Sequence, residues 1–170
     1  MEKYYYTIPF VKGVKKAFEI NDEKGLSKVK IQRYYPHLLN ILTEIFLTGW
    51  EVNIKATQDD KEYLIKEHFR WNKNEWSILE NNSNIGNLTN IKKIEFGDTK
   101  EFSIHGKKYY YLDKPLQTQT LIQDQENNLI AAIDYELFDL SRKKEIVLYS
   151  HEIALSLLVC IDYISTLKKK

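Results

Sequence analysis

The sequence contains few of the residues that mark several classes of protein. Its 170 residues hold one cysteine, Cys160, so neither an internal disulfide nor a multi-cysteine zinc site can form. Six glycines and three prolines exclude collagen-like and low-complexity chains. Low cysteine usage is typical of the reducing cytoplasm. We predict a cytoplasmic location, with peripheral membrane association as a further expectation.

The sequence also lacks an excess of positive or negative charge. The 25 lysines and arginines are balanced by 24 aspartates and glutamates, so the formal net charge is +1. This excludes the strongly basic balance of proteins that bind nucleic acid over a large area, and we expect no nucleic-acid partner.

Met1–Phe10 lacks the apolar core of a signal peptide. The longest apolar run, Ile153–Ile164, is shorter than the roughly 20 residues that span a bilayer, so no transmembrane segment is predicted.

Aromatic residues are abundant and favour strands. The chain has twelve tyrosines, seven phenylalanines and three tryptophans. Trp50, Val52 and Ile54 alternate with polar residues, which is typical of a half-buried strand. The predicted strands are Lys3–Pro9, Ala17–Asn21, a run around Val29 and Ile31, Trp50–Ile54, Glu62–His68, Glu75–Leu79, Ile91–Phe96, Glu101–His105, Lys108–Leu112, Thr120–Gln123, Leu129–Tyr135 and Glu145–Tyr149.

Short turn segments separate these strands. They are rich in Asn, Asp and Gly, residues that tolerate left-handed backbone angles. The predicted turns are Asn21–Gly25, Glu80–Asn84, His105–Lys107 and Gln125–Asn128. Phe18–Gly25, Trp76–Ser83 and Leu121–Asn128 resemble one another, which indicates one hairpin pattern used several times. Many short strands with such turns predict an antiparallel sandwich or barrel.

One segment that breaks the β pattern is Pro36–Thr48. Pro36 suits a first helical turn and Gly49 suits a helix end. The apolar stripe is wide and the polar face is thin, so this short accessory helix is either buried or a contact surface. Its candidate partner-binding residues are Leu38, Leu42, Ile45 and Phe46.

The second segment, His151–Leu167, predicts a helix that is apolar in every direction. Ser150 is its expected N-cap, and Lys168–Lys170 suit its C-terminal end. Such a helix lies either in lipid or inside protein, and its length argues against lipid. We therefore predict a single domain over 1–170, mainly β, in which an antiparallel barrel closes around this helix. The expected central residues are Ile153, Leu157, Leu158, Cys160, Ile161 and Ile164.

This pattern resembles the tubby C-terminal-like superfamily, which includes LURP-one-related proteins, phospholipid scramblases and small bacterial relatives. The hairpin Phe18–Gly25, its later copy Trp76–Leu79 with Ile85–Leu88, and the helix Glu152–Asp162 carry the resemblance, which spans about Lys3 to Leu167. It implies a barrel closed around the last helix. It also implies a role in binding, since tubby proteins bind phosphoinositide head groups and scramblases act at membranes. An AT-rich bacterial genome is indicated by the many Lys, Asn, Ile and Tyr residues.

No catalytic constellation, metal-ligand motif or phosphate-binding glycine loop is present, so no cofactor is expected. The four histidines are scattered, and Asp162 within the apolar helix needs a partner or a raised pKa if it is buried. Alternation places Tyr110 opposite Tyr109 and Tyr111, which disfavours a stacking platform for single-stranded nucleic acid. Candidate contacts to an anionic ligand are Lys12, Lys15, Lys16, Arg142, Lys143 and Lys144.

Three functions remain open at this point. The first is a non-catalytic binding module for anionic lipid head groups or a protein partner, engaged by a basic patch. The second is an interaction or assembly module that uses the apolar 36–48 segment. The third is an enzyme that uses Asp162 or a histidine at a barrel mouth. The sequence leaves the oligomeric state open.

Overall fold

A closed antiparallel barrel surrounds one helix in this computed structural model, which describes residues 1–9, 17–36, 51–68, 74–91, 98–113, 117–135 and 143–168. Each strand pairs with its sequence neighbours, and β1 pairs with β12 to close the sheet. The elements in these ranges are β1 (Glu2–Thr7), β2 (Phe18–Asp22), β3 (Ser27–Tyr34), β4 (Asn53–Gln58), β5 (Lys61–His68), β6 (Glu75–Glu80), β7 (Ser83–Ile91), β8 (Asp98–Ile104), β9 (Lys107–Asp113), β10 (Gln119–Asp124), β11 (Leu129–Tyr135), β12 (Lys143–Leu148) and helix α1 (Leu155–Lys168).

The alternation of side chains along the strands separates the inside of the barrel from its outside. Ile54, Ile65 and Ile78 are direct cross-strand neighbours on β4, β5 and β6, and all three are fully buried. Their neighbours Lys55 and Leu64 pair on the outer face. Side chains alternate with a period of two along each strand. The observed pairing of the strands therefore brings their apolar residues to the inner face, where they form a continuous lining around the lumen.

Two of the predicted hairpins share one turn chemistry. The Asp22 carboxylate accepts hydrogen bonds from the backbone N–H groups of Lys24 and Leu26, both at 2.9 Å. The Asp124 carboxylate accepts them from Glu126 and Asn128 at 2.9 and 2.8 Å. An aspartate that binds the backbone two and four residues ahead substitutes for a backbone turn. Two of the three segments that resemble one another therefore share this turn.

The predicted turn Glu80–Asn84 is longer than the observed one. Strand β6 extends to Glu80 and β7 begins at Ser83, so Asn81 and Asn82 alone connect them, with φ values of 47° and 67°. Two consecutive left-handed residues form the hairpin turn that matches strand twist. Gly86 lies within β7, where a Cβ atom would stand 1.8 Å from the Ser103 carbonyl oxygen. The close approach of β8 therefore requires glycine at this position.

Helix α1 begins later than the sequence predicts. It starts at Leu155, so Ser150 is not its N-cap and Ile153 precedes it, although Ile153 is buried. The Ser150 hydroxyl instead accepts a hydrogen bond from the Glu152 N–H at 3.3 Å. The first helical turn is capped from the barrel wall, because the Gln58 side-chain oxygen accepts the Ser156 N–H at 3.0 Å. A cap supplied by another strand leaves no local sequence signal.

The enclosure of the helix confirms the predicted fold class. Leu157 is 2% exposed and Ile161 is fully buried. All helical residues except Thr166 and Lys168 are buried. Among the residues that the structure describes, no helix is both long and apolar enough to cross a membrane. Parts of three predicted elements lie outside the described residues. They are the accessory helix Pro36–Thr48 except for Pro36, the strand residue Trp50, and positions 92–96 of the strand Ile91–Phe96.

Candidate functional site

The adjacent residues Lys143 and Lys144 begin β12 and face opposite sides of the barrel wall. Lys143 pairs with Thr7 and Lys144 pairs with Tyr6 on β1. Tyr6 is buried in the lumen, so alternation places Lys144 inside and Lys143 outside. The two lysines, both predicted as contacts to an anionic ligand, therefore occupy different environments.

Lys144 forms a buried ion pair with the helix. Its Nζ atom lies 2.7 and 2.9 Å from the two carboxylate oxygens of Asp162, whose side chain is 1% exposed. The Tyr6 and Tyr111 hydroxyls each donate a further hydrogen bond to this carboxylate at 2.9 Å. The sequence predicts that a buried Asp162 needs a partner, and the structure provides one lysine and two tyrosines. We call these four side chains the carboxylate centre.

The electrostatics of the carboxylate centre keep its tyrosines protonated. Burial, and then the negative charge of Asp162, raise the pKa of Tyr6 well above its usual value. The same two causes, in the same order, raise the pKa of Tyr111. A hydroxyl with a raised pKa is a poorer acid, so it stays protonated and serves as a hydrogen-bond donor. The centre therefore satisfies a buried negative charge with one lysine and two neutral tyrosine donors.

A surface cleft lies directly outside the carboxylate centre. It has a volume of about 310 Å³ and is lined by Tyr5, Thr118, Asp134, Tyr135, Lys143, Lys144 and Glu145. We call it the β12 cleft. Lys143 Nζ lies 5.8 Å from the ring centroid of Tyr5, and Lys144 Nζ lies 5.4 Å from that of Tyr135. Both distances place an ammonium group within reach of an aromatic face.

The acidic side chains of the β12 cleft are engaged. Glu145 accepts an ion pair from Lys3 at 2.7 Å, and Asp134 accepts a hydrogen bond from the Gln119 amide at 2.9 Å. Among the described residues, these partners and Asp162 give three lysines and three carboxylates around the cleft. Lys143 brings a positive charge to the outer face of this balanced surface.

Two further polar contacts anchor the C-terminal half of the helix. Lys168 Nζ lies 2.7 Å from Glu67 on β5, whose other oxygen accepts the Val52 N–H. The fully buried Lys100 of β8 donates to the Ser165 hydroxyl at 3.2 Å. These contacts, like the carboxylate centre, join α1 to inward-facing strand residues.

The remaining sequence-predicted residues fall into three groups. Two of the groups lie outside the described residues, so their assignments stay predictions. They are the candidate contacts to an anionic ligand, Lys12, Lys15, Lys16 and Arg142, and the candidate partner-binding residues, Leu38, Leu42, Ile45 and Phe46. The structure places the six central residues Ile153, Leu157, Leu158, Cys160, Ile161 and Ile164 in the core. Burial raises the pKa of the Cys160 thiol, which makes it unreactive.

The histidines of the described ranges do not form a metal centre. No group of three metal-ligating side chains occurs in these ranges. Tyr109 and Tyr111 are buried in the lumen while Tyr110 faces outward, as alternation predicts. Sequence reasoning missed Tyr6 and Tyr111 as partners of Asp162. In the sequence, only the hydroxyl group of each tyrosine distinguishes it from the apolar residues on the same face of its strand.

Comparison with known proteins gives one positive finding. The family described as "Tubby C-terminal like domain" matches residues 4–169. No curated protein matches the chain. No solved structure matches it either.

Proposed function

The chain belongs to the tubby C-terminal-like family, and we propose that it binds an anionic lipid head group in the β12 cleft. The family is generally non-enzymatic and its domains bind partners. The carboxylate centre agrees with a non-catalytic role, because its carboxylate is buried and is already bound by Lys144 and two tyrosine hydroxyls.

The observation that carries the proposal is the position of Lys143. It is an outward-facing lysine that lies against the ring of Tyr5 in a cleft that also presents Thr118 and Tyr135. An ammonium group beside the Thr118 hydroxyl suits the phosphate of a lipid head group, since both can donate hydrogen bonds to its oxygens. The Tyr135 hydroxyl already donates to the Gln117 carbonyl oxygen. A second cleft, which shares Tyr5 and Lys143 and adds Lys30, continues this surface toward β3.

Vesicle co-sedimentation tests the proposal. Vesicles of phosphatidylcholine with phosphatidylserine are expected to bind the chain, and vesicles of phosphatidylcholine alone are not. Lys143→Glu removes one attractive charge and adds a repulsive one, which corresponds to about 2 kcal/mol, or roughly 30-fold weaker binding.

A matched control is available on the other side of the barrel. Lys66 on β5 is exposed and faces outward, so Lys66→Glu changes the net charge equally without touching the cleft. This variant is expected to bind within about twofold of the wild type, since a surface charge far from the contact is largely screened. Equal binding to both kinds of vesicle, or equal losses in the two variants, would contradict the proposal.

A further inference from the structure

The barrel has a second surface at the end opposite the β12 cleft. Short turns join β2 to β3, β4 to β5, β6 to β7, β8 to β9 and β10 to β11 at this end, and residues 149–154 connect β12 to α1 there. All of these connections lie within the described residues. We call this the hairpin end. The β12 cleft lies at the other end, where β12 begins.

A groove opens at the hairpin end. It has a volume of about 310 Å³ and is bounded by residues 151–154 of the connection to α1 and by strands β4 to β8. Ile104, Ile153 and Leu157 line it and are at most 5% exposed, so they form an apolar bottom. We call it the hairpin-end groove.

The rim of the hairpin-end groove carries more carboxylates than cations. Asp59, Glu80 and Glu152 line it together with one lysine, Lys61. Lys61 pairs with Glu80 at 2.7 Å, and Lys107 pairs with Glu152 at 3.1 Å. Asp59, which is exposed, has no ion-pair partner among the described residues. The groove therefore offers one negative charge above an apolar surface.

From this geometry we propose that the hairpin-end groove docks a basic side chain, lysine or arginine, from a segment of a protein partner. The cationic group binds the Asp59 carboxylate, and the aliphatic stem packs on Ile104 and Leu157. A long basic side chain combines these two properties, because its stem can be buried while its charge stays at the rim. His105 and His151 complete the polar rim and add no charge while they are unprotonated.

Exposed apolar side chains at the hairpin end favour a protein over a free amine. Leu26 in the turn between β2 and β3 is 57% exposed, and Tyr149 in the connection to α1 is 50% exposed. Apolar side chains around a charged anchor are typical of protein interfaces. Since the two surfaces lie at opposite ends of the barrel, docking here and lipid binding in the β12 cleft are independent.

An NMR titration of the full chain with three probes tests the proposal. The probes are the peptide acetyl-Leu-Lys-Leu-amide, the same peptide with norleucine in place of lysine, and n-butylammonium. The lysine peptide should shift the amide signals of Asp59 and Leu157 and bind about fivefold more tightly than the norleucine peptide, because only lysine can form the ion pair. It should also bind about fivefold more tightly than n-butylammonium, which lacks the apolar neighbours.

The variant Asp59→Asn tests the charge. Asp59 has a φ of 52°, which asparagine also adopts, so the turn is retained. The variant should bind the lysine peptide about fivefold more weakly and the norleucine peptide as the wild type does. Asp60→Asn is the matched control, because it removes the same charge from a side chain that does not line the groove. It should bind the lysine peptide within about twofold of the wild type.

Three results would overturn the proposal. The first is equal binding of the lysine and norleucine peptides, and the second is an equal loss of binding in Asp59→Asn and Asp60→Asn. The third is binding of n-butylammonium as tight as that of the lysine peptide, which would identify the occupant as a free amine.

Discussion

The two halves of α1 are enclosed by the same barrel but held in different ways. The first half, from Leu157 to Ile161, is apolar and packs against an apolar lining. The second half places Asp162, Ser165 and Lys168 against Lys144, Lys100 and Glu67 on three different strands. Apolar contacts stabilise without direction, whereas ion pairs and hydrogen bonds require one geometry. We infer that the first half contributes most of the burial energy and the second half fixes the depth and rotation of the helix.

The spacing of the polar contacts supports this division of roles. Residues three apart on a helix differ by about 60° in direction, so Asp162, Ser165 and Lys168 point successively to neighbouring parts of the wall. Rotation of the helix by one residue would leave all three contacts unmade and would bury unpaired charges. The apolar half would tolerate the same rotation far better, because it is apolar all round.

The largest expected effect comes from the polar half. Asp162→Ala removes the counterion of Lys144 and the acceptor of two tyrosine hydroxyls, so we predict a loss of about 4 kcal/mol in the free energy of unfolding. Urea denaturation measures it. Asp162→Leu combined with Lys144→Met leaves no charge unpaired and should recover much of the loss. A cost below about 1 kcal/mol for Asp162→Ala would mean that the ion pair is not needed to hold the helix.

A slightly smaller effect is expected in the apolar half. Leu158 is fully buried, and Leu158→Ala removes its packing and leaves a cavity, which should cost about 3 kcal/mol in the same urea experiment. Leu26 is 57% exposed and serves as the control, since Leu26→Ala should change stability by less than about 0.5 kcal/mol. Similar values for the two leucine variants would show that this half of the helix is not the main source of burial energy.

The smallest effect concerns the response of the carboxylate centre to alkali. The folded pKa values of Tyr6 and Tyr111 lie above the ordinary value of 10.0. Their contribution to stability is therefore complete below that pH and is lost as the pH rises through the folded values. Each hydroxyl should lower the free energy of unfolding by about 1.4 kcal/mol per pH unit above 10. Thermal denaturation from pH 9 upward checks this. Tyr6→Phe should reduce the slope by one such contribution, and an unchanged slope would contradict the assignment.

The fold could be predicted because its signals are local or follow from composition. Alternation marked most strands, Asp22 and Asn81 marked turns, and the all-round apolar character of Leu157–Ile161 required an enclosing sheet. Those signals come from residues that are close together in the chain, so they can be recognised without knowledge of the tertiary structure. The start of α1 could not be predicted, because its cap comes from Gln58, far away in the chain.

The site was only partly predictable for a related reason. Asp162 was recognised as needing a partner, but Lys144 becomes that partner only when β1 and β12 close the barrel in one register. The prediction does not distinguish Lys143 from Lys144, because the predicted strand begins at Glu145. Once β12 begins at Lys143, alternation assigns one lysine to the surface and the other to the lumen.

The closure of the barrel has a consequence for how the chain folds. Glu2 finds its strand partner in Leu148, and the helix that fills the lumen follows later still. The first strand emerges from the ribosome long before its second neighbour exists, and contacts so distant in sequence form slowly. Until α1 is synthesised, the apolar inner faces of the strands have nothing to enclose. The strands therefore expose apolar surface until α1 has been synthesised, which favours aggregation at that stage.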